Sequence, residues 1–143
     1  MFSLIPGLEN AEFVRYGVMH RNTFLHSPGL LNWDFQMKQM PGMYFAGQIT
    51  GVEGYVESAA SGLNAGIQLA RSLQGKDPLD FTAQTAMGAL GHYVAEYAGK
   101  DFQPMNITFG IMAPMENPPR GKQERYLAIA QRALDRLQNL IKD

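Results

Sequence analysis

Hydrophobic and polar residues alternate along the first half of the chain in the pattern that β-strands show. Within residues 31–37, apolar side chains occupy every second position and polar side chains lie between them. Residues 43–46 form a short apolar run, which Pro41 and Gly42 separate from the first stretch. We therefore predict a half-buried strand, a hairpin turn and a more fully buried strand. A further strand is predicted within residues 18–27.

Apolar positions recur at three- and four-residue spacing in the second half, which predicts helices. The first predicted helix covers residues 55–73, is rich in glycine, alanine and serine, and has Gly75 as its expected C-cap. The second covers residues 82–97, and the third, with the clearest amphipathic face, covers residues 122–142. A short helix is also predicted at residues 10–16, whereas residues 102–115 have no regular pattern.

Composition limits the class of protein. The 143 residues predict one domain, and 45% hydrophobic against 17% charged residues argue against a disordered chain. Twelve basic against 13 acidic side chains argue against a broadly basic surface for nucleic acid. A local basic patch for nucleic acid remains possible, because half of the basic residues lie in or near the third predicted helix. We take a solvated helix face as the default interpretation of these residues. The six basic residues are Arg120, Lys122, Arg125, Arg132, Arg136 and Lys142.

Several kinds of site are not expected. The chain has no cysteine, which excludes a disulfide, a thiolate metal site and a thiol nucleophile from this chain. His26 and His92 have no partner at metal-ligand spacing, so no metal site is expected. No apolar run approaches the ~20 residues that cross a bilayer, and no cationic leader precedes the first apolar residues. We therefore expect a cytoplasmic protein without a membrane partner.

The most informative stretch is residues 43–66, in which a predicted strand leads into a glycine-rich turn and then a helix. Glycine in the turn lets a ligand approach the backbone, and the helix start favours electron-rich groups. Gln48 adds an amide that suits a sugar or ribityl hydroxyl. Taken alone, these residues support a cofactor site and an ordinary strand-to-helix connection about equally, because the dinucleotide-binding fingerprint GxGxxG is absent.

A family resemblance changes that balance. Residues 45–63, FAGQITGVEGYVESAASGL, resemble the C-terminal flavin-contacting motif of the GidA/TrmFO flavoproteins, which are FAD-dependent enzymes that modify uridines in tRNA. Further stretches favour the TrmFO branch, the folate-dependent tRNA uracil-5-methyltransferases. These are residues 5–13 with 15–24, residues 85–90 and residues 102–107.

The resemblance implies an α/β fold. It is the last strands and helix of a Rossmann-like FAD-binding domain followed by C-terminal helices, with the N-terminal GxGxxG half absent from this chain. Residues 1–40 would form a strand-containing segment that joins the insertion and FAD domains. Residues 41–76 would form the FAD-contacting strand, turn and helix, and residues 77–143 a helical C-terminal segment.

The resemblance also implies an activity. The chain would be the C-terminal fragment of an enzyme that methylates C5 of a T-loop uridine in tRNA. FAD would be its cofactor, with methylenetetrahydrofolate and NAD(P)H as co-substrates. The family's nucleophilic cysteine lies upstream, so we expect no catalytic residue here, no activity alone, and a missing N-terminal part as partner. The alternatives are a GidA-branch enzyme that modifies wobble uridine and a non-enzymatic fragment or oligomerisation module.

Site residues follow from the resemblance one by one. Two residues would lie beside the ribityl chain, three would form the turn under the isoalloxazine ring, and two would direct backbone N–H groups at the flavin N1/O2 edge. In that order they are Gly47 and Gln48; Thr50, Gly51 and Gly54; Tyr55 and Val56.

A second polar cluster, formed by His20, Arg21 and Asn22, would contact flavin, folate or tRNA. Its simpler interpretation is that the arginine and histidine donate hydrogen bonds to loop carbonyls. Glu53 and Glu57 lie four positions apart at the predicted helix start, and we interpret them as a helix-end charge effect rather than a catalytic pair.

Overall fold

In the part of the chain that the structure describes, regular structure is almost entirely helical. The computed structural model describes residues 2–14 and 22–142. It contains α1 (Tyr55–Leu73), α2 (Ala86–Glu96) and α3 (Lys122–Lys142). Two short 3₁₀ helices, Phe2–Leu4 and Gly47–Thr50, precede them. Within the described ranges, no helix is both long and apolar enough to cross a membrane.

The three long helices predicted from the sequence are confirmed, although α2 starts later than expected. The Thr85 hydroxyl oxygen accepts a hydrogen bond from the backbone N–H of Gly88 at 3.0 Å. Thr85 itself has extended backbone angles, as an N-cap residue does. The helix therefore begins at Ala86 rather than at Thr82. At the C-terminal end of α1, Gly75 follows the C-cap residue Gln74 and has a φ of +69°.

The prediction of a continuous strand at residues 31–37 is wrong. The backbone N–H of Phe35 donates to the carbonyl of Asn32 at 2.9 Å, which closes a tight turn in the middle of that stretch. Phe35 has a φ of +65°, a conformation that bulky residues rarely adopt. Leu31 and Phe35 are nevertheless both buried. The alternation of apolar residues therefore arises because a turn buries these side chains, and not because they share one face of a strand.

The other predicted strands are also absent from the described residues. Residues 43–46 pair with the preceding turn through a single bridge, Gln36 with Tyr44, so only a minimal hairpin contact forms. Residues 22–27 contain no strand, and residues 18–21 lie outside the described part. Because a strand depends on neighbours that complete its hydrogen bonds, isolated bridges do not build a sheet. The predicted Rossmann-like layer is therefore not observed in the described ranges.

The short helix predicted at residues 10–16 is wrong as far as it can be followed. Residues 10–14 form a turn and irregular backbone, and residues 15 and 16 lie outside the described part. All side chains from residue 2 to residue 14 are exposed. Local apolar spacing without a surface to pack against does not hold so short a helix.

Two apolar clusters hold the described chain together. The larger one joins the 31–35 turn, the turn before α1, the middle of α1 and α2. The smaller one joins α2, the 107–115 loop and α3. The larger consists of Leu31, Phe35, Val52, Ala65, Leu90 and Val94. The smaller consists of Ala89, Met112, Ile129 and Ala133.

Arg132 fastens α3 to the loop that precedes it. Its guanidinium donates to the carbonyl of Pro114 at 2.9 Å and to that of Ala113 at 2.5 Å. Two of its N–H groups are therefore used inside the molecule and are not free for a phosphate. This contact favours the structural interpretation of the basic residues on α3.

We expect the substitution Arg132→Met to lower the free energy of unfolding by about 1–3 kcal/mol, because it leaves two carbonyl oxygens without their charged donor. Urea unfolding followed by circular dichroism measures the loss. Arg136→Met is the matched control, because Arg136 lies one turn further along α3. An equal effect of both substitutions would contradict the fastening role of Arg132.

Candidate functional site

A polar cleft lies at the start of α1 and has a volume of about 460 Å³. Its walls come from three separate parts of the chain: the segment before the 31–35 turn, the glycine-rich turn with the first residues of α1, and the irregular stretch between α2 and α3. The lining residues are Asn22, Gln48, Glu53, Gly54, Tyr55, Ser58 and Asn106.

The turn that leads into the cleft is braced by its own hydrogen bonds. The Thr50 hydroxyl donates to the carbonyl of Gly47, and the backbone N–H of Gly47 donates to the hydroxyl of Ser61, each at 2.7 Å. The backbone N–H of Gly51 closes the short 3₁₀ helix by donating to the carbonyl of Gln48 at 3.1 Å. Gln48 is therefore held at the rim with its side chain exposed.

Gly54 is the N-cap of α1, and the Glu57 carboxylate and the Asn106 amide lie close to it. Its φ is +98°, and among the described residues no side chain caps the helix at this position. A Cβ atom here would overlap the Glu57 carboxylate and lie 2.7 Å from Nδ2 of Asn106. Glycine at this position therefore leaves room for the Glu57 carboxylate and the Asn106 amide beside the first residues of α1, Tyr55 and Val56. Such a helix start carries a partial positive charge.

Thr50 and Gly51 lie behind the cleft wall rather than on it. Thr50 is completely buried, and its carbonyl accepts a hydrogen bond from the Ser27 hydroxyl at 2.8 Å. Gly51 is also buried, with a φ of +89°. A Cβ atom on it would penetrate the ring of Phe102. Both residues shape the turn from within.

The cleft is closed on one side by the stretch around Met105, which pairs with the turn as a parallel bridge to Val52. The backbone N–H of Met105 donates to the carbonyl of Gly51 at 3.0 Å. The carbonyl of Met105 accepts from the N–H of Glu53 at 2.9 Å. Next to this pair, the side-chain amide of Asn106 donates to the carbonyl of Glu53 at 3.1 Å. The stretch therefore belongs to the cleft as firmly as the turn does.

Aromatic packing anchors the same stretch from below. The ring of Phe102 is buried, and its centroid lies 5.6 Å from that of Tyr93 and 5.9 Å from that of Tyr97. The Tyr93 hydroxyl donates to the carbonyl of Gln103 at 2.8 Å. Burial, with a smaller contribution from Tyr97, raises the pKa of Tyr93 above its usual value. The hydroxyl therefore remains a hydrogen-bond donor at neutral pH.

Of the ten residues singled out from the sequence, four line the cleft. Gln48, Gly54, Tyr55 and Asn22 line one cleft, and Val56 contributes the second residue of the helix start. His20 and Arg21 lie outside the described residues.

Sequence reasoning did not identify Ser58 and Asn106 as lining residues, and it interpreted Glu53 only as a helix-end charge. The sequence signal that could have led to Asn106 was the family resemblance of residues 102–107, which include it. Nothing in the pattern of that stretch indicated that it packs against the glycine turn.

The remaining histidines have other surroundings. His92 lies 3.3 Å from Asp80 and 3.1 Å from Glu96, and it stacks on Trp33 with 6.0 Å between the ring centroids. The ring of His26 packs edge-on against Phe102. Over the described ranges, no group of three or more His, Asp or Glu side chains is arranged to hold a metal ion.

The cleft has the chemistry needed for one polar edge of a flavin. The start of α1 provides backbone N–H donors, the side-chain amides of Asn22, Gln48 and Asn106 both donate and accept, and Glu53 adds a carboxylate to the lining. A Cβ atom at Gly54 would overlap the Glu57 carboxylate, so the turn requires glycine at this position. The residues therefore fit the ring edge and the adjoining ribityl hydroxyls. A pyrophosphate-binding GxGxxG is not part of this chain.

Comparison with known proteins gives two findings. Residues 1–77 match the model of a family described as "Glucose inhibited division protein A". Over 137 residues the chain is 58% identical to the methylenetetrahydrofolate–tRNA-(uracil-5-)-methyltransferase TrmFO of Ligilactobacillus salivarius, covering 96% of this chain and 31% of the relative. The protein of the same name from Pelotomaculum thermopropionicum is 60% identical over 135 residues, covering 94% and 31%. The chain thus spans about a third of the length of these curated relatives.

Proposed function

The chain belongs to the glucose inhibited division protein A family, and from that premise we propose that it is the C-terminal, flavin-contacting part of a tRNA methyltransferase. The enzyme would methylate C5 of a T-loop uridine, with FAD as its cofactor and methylenetetrahydrofolate and NAD(P)H as co-substrates. The names of the two relatives support the folate-dependent branch over the wobble-uridine branch. The observation that carries the proposal is the cleft at the start of α1.

In this proposal the chain binds and orients the flavin. The N–H groups of Tyr55 and Val56 would donate to the N1/O2 edge, where negative charge increases on reduction. A helix start stabilises such charge by about 0.3–1 kcal/mol when exposed and by up to ~2 kcal/mol when partly buried. Gln48 would donate to a ribityl hydroxyl, and Gly54 would let the ring approach the backbone. When bound, FAD supplies the redox chemistry of the one-carbon transfer.

The buried residues of the turn have a supporting part in the same proposal. Thr50 and Gly51 would hold the backbone under the isoalloxazine ring without touching solvent, and Gly47 would pass beside the ribityl chain. Asn22 lines the cleft opposite the turn, which supports a role for the 20–22 cluster in binding flavin, folate or tRNA. His20 and Arg21 enter this role from the resemblance alone.

The remaining part of such an enzyme would supply what this chain lacks. The chain has no cysteine, so the uracil-activating nucleophile must come from outside it. The outer face of α1 offers a surface for that part, because Val56, Leu63 and Leu73 are exposed by 79%, 60% and 81%. An apolar stripe of this kind on a helix is normally covered. We propose that the N-terminal part covers it and that the complete enzyme works on tRNA in the cytoplasm.

A flavin titration tests the proposal. We expect the purified 143-residue chain to bind no stoichiometric FAD and to show no methyltransferase activity, because it holds one wall of the site. A chimera, in which this chain replaces the matching 31% of the Ligilactobacillus salivarius relative, is expected to be purified with bound FAD. It should form 5-methyluridine in tRNA, detected by mass spectrometry of digested nucleosides.

The outcomes separate the alternatives. A chimera that folds but holds no flavin would contradict the proposed site. Flavin binding with a modified wobble uridine instead of 5-methyluridine would support the other branch of the family. The unmodified Ligilactobacillus salivarius relative is the control for expression and folding.

A further inference from the structure

A second groove, mostly apolar, lies between the 109–118 loop and the first two turns of α3, and its volume is about 330 Å³. Its lining includes Phe109, Pro114, Met115, Arg125, Tyr126 and Ile129. Among the described residues that line it, Arg125 is the only charged one. The groove is separate from the cleft at the start of α1, because the two have no lining residue in common.

Two stacked aromatic rings border this groove and reach the solvent. The ring centroids of Phe109 and Tyr126 lie 4.5 Å apart, with 24° between the ring planes. The two residues are 39% and 36% exposed. Ile129, which lines the same groove, is buried in the smaller apolar cluster with Ala89 and Met112. One side of the groove is therefore anchored in the core, and the rings beside it offer a flat apolar surface.

The cations next to these rings are not neutralised. Lys122, Arg125 and Tyr126 share one face of α3, because they lie three and four positions apart. Nζ of Lys122 is 5.7 Å from the centroid of the Tyr126 ring. Within residues 2–14 and 22–142, no carboxylate forms an ion pair with Lys122 or Arg125. The groove thus combines exposed rings with positive charge that has no acidic partner.

This combination favours one class of ligand. Proteins bind single-stranded nucleic acid with cations that attract the phosphates and with aromatic rings on which the bases stack. A base inside a duplex is already stacked on both faces, so the rings suit a nucleotide that is out of the stack. An apolar peptide would be served by the rings but would leave the two cations without a partner.

We infer that this groove binds an unstacked nucleotide of an RNA, with the base against the Phe109–Tyr126 pair and the phosphate at Arg125 and Lys122. The inference rests on the proposed function only for the identity of the RNA, which is then a tRNA. It adds an RNA contact outside the flavin cleft. Arg132 keeps its structural role, since its guanidinium is bound to the loop carbonyls.

The stacking contact is tested by fluorescence anisotropy of labelled RNA with the 143-residue chain and with the chimera. The probes are an unstructured single strand of about ten nucleotides and a duplex of the same length. We expect Tyr126→Leu to raise the dissociation constant for the single strand about fivefold or more, because one base stack is lost. Binding of the duplex should not change, and Tyr126→Phe, which keeps the ring, should bind both probes as the wild type does.

The charge contact is tested through the salt dependence of single-strand binding. Arg125→Gln should reduce the slope of log Kd against log salt concentration by about 0.7, the value for one phosphate contact on a single strand. Lys38→Gln is the matched control, because it removes the same charge from an exposed position near the 31–35 turn. This control should leave the slope and the affinity unchanged.

Several results would overturn the inference. They are no single-strand binding by the wild-type proteins, equal affinities of Tyr126→Leu and Tyr126→Phe, and an unchanged slope for Arg125→Gln. An effect of Tyr126→Leu that is present in the 143-residue chain but absent from the chimera would also overturn it, because the N-terminal part would then cover the groove. If circular dichroism shows that Tyr126→Leu is unfolded, the exposed Arg125 decides the question through its slope.

The proposed function can fail independently of this groove. A chimera that binds the single strand through Tyr126 and Arg125 but holds no FAD would overturn the flavin site and leave the RNA contact in place. A chimera that holds FAD and shows none of the expected changes in RNA binding would do the opposite.

Discussion

Replacement of Gly54 by valine in the chimera is expected to abolish the retention of FAD. A branched side chain at this N-cap would occupy the space in front of the first N–H groups of α1, where a Cβ atom alone would overlap the Glu57 carboxylate. It would also be forced into a φ of +98°, which costs a non-glycine residue about 1–3 kcal/mol. The ratio of visible flavin absorbance to protein absorbance after gel filtration measures the loss.

Gly110→Val is the matched control, because Gly110 is exposed, has no positive φ and would place its Cβ atom 3.4 Å from the nearest side chain. Circular dichroism of both variants shows whether the helices are intact. A Gly54→Val protein that is purified with the wild-type content of flavin would contradict the cradle role of this glycine. Loss of flavin in both variants would do the same, since the effect would then not be local.

The second large effect is expected at Gly51, where Gly51→Ala should lower the free energy of unfolding by about 2–6 kcal/mol. The estimate combines about 1–3 kcal/mol for overpacking against the Phe102 ring with about 1–3 kcal/mol for the positive φ. Urea unfolding of the chimera measures this loss. The substitution Gly29→Ala is the control for strain alone, because Gly29 has a φ of +85° and nothing within 4 Å of its Cβ position.

A double-mutant cycle separates the two causes. Phe102→Leu removes the edge of the ring that a Cβ atom on Gly51 would meet. The double variant should therefore lose less free energy of unfolding than the sum of the two single losses, by about 1 kcal/mol or more. The same ring substitution should not relieve Gly29→Ala. Additive losses at Gly51 and Phe102 would show that the ring is not what excludes a side chain at Gly51.

The helices could be predicted from the sequence because their signals are local. Apolar spacing identified α1 and α3, and the Thr85 cap explains why α2 begins four residues after the predicted start at residue 82. The strands could not be predicted in the same way. Phe35 combines a left-handed backbone with complete burial, and no pattern of alternation distinguishes that turn from a strand.

The candidate site was partly predictable for the same physical reason. The glycine-rich turn and Gln48 are visible along the chain, and the family resemblance added Gly54 and Tyr55 as site residues. Asn106 could not be, because its place depends on backbone pairing between Met105 and Gly51, which are far apart in sequence. The assignments of these residues to flavin stay predictions, and the experiments above address them one by one.

The pairing of the Met105 stretch with the glycine turn has a consequence for biosynthesis. Glu53 and Asn106 are 53 positions apart in the chain. At about 5–20 residues per second, the stretch around Met105 is therefore synthesised about 3–10 s after the glycine turn. During that interval the helix start at Gly54 faces solvent without the stretch that completes the cleft. Under the proposed function, a cofactor that contacts both the glycine turn and the Met105 stretch would be taken up only after the ribosome has passed Ile107, late in the maturation of the protein.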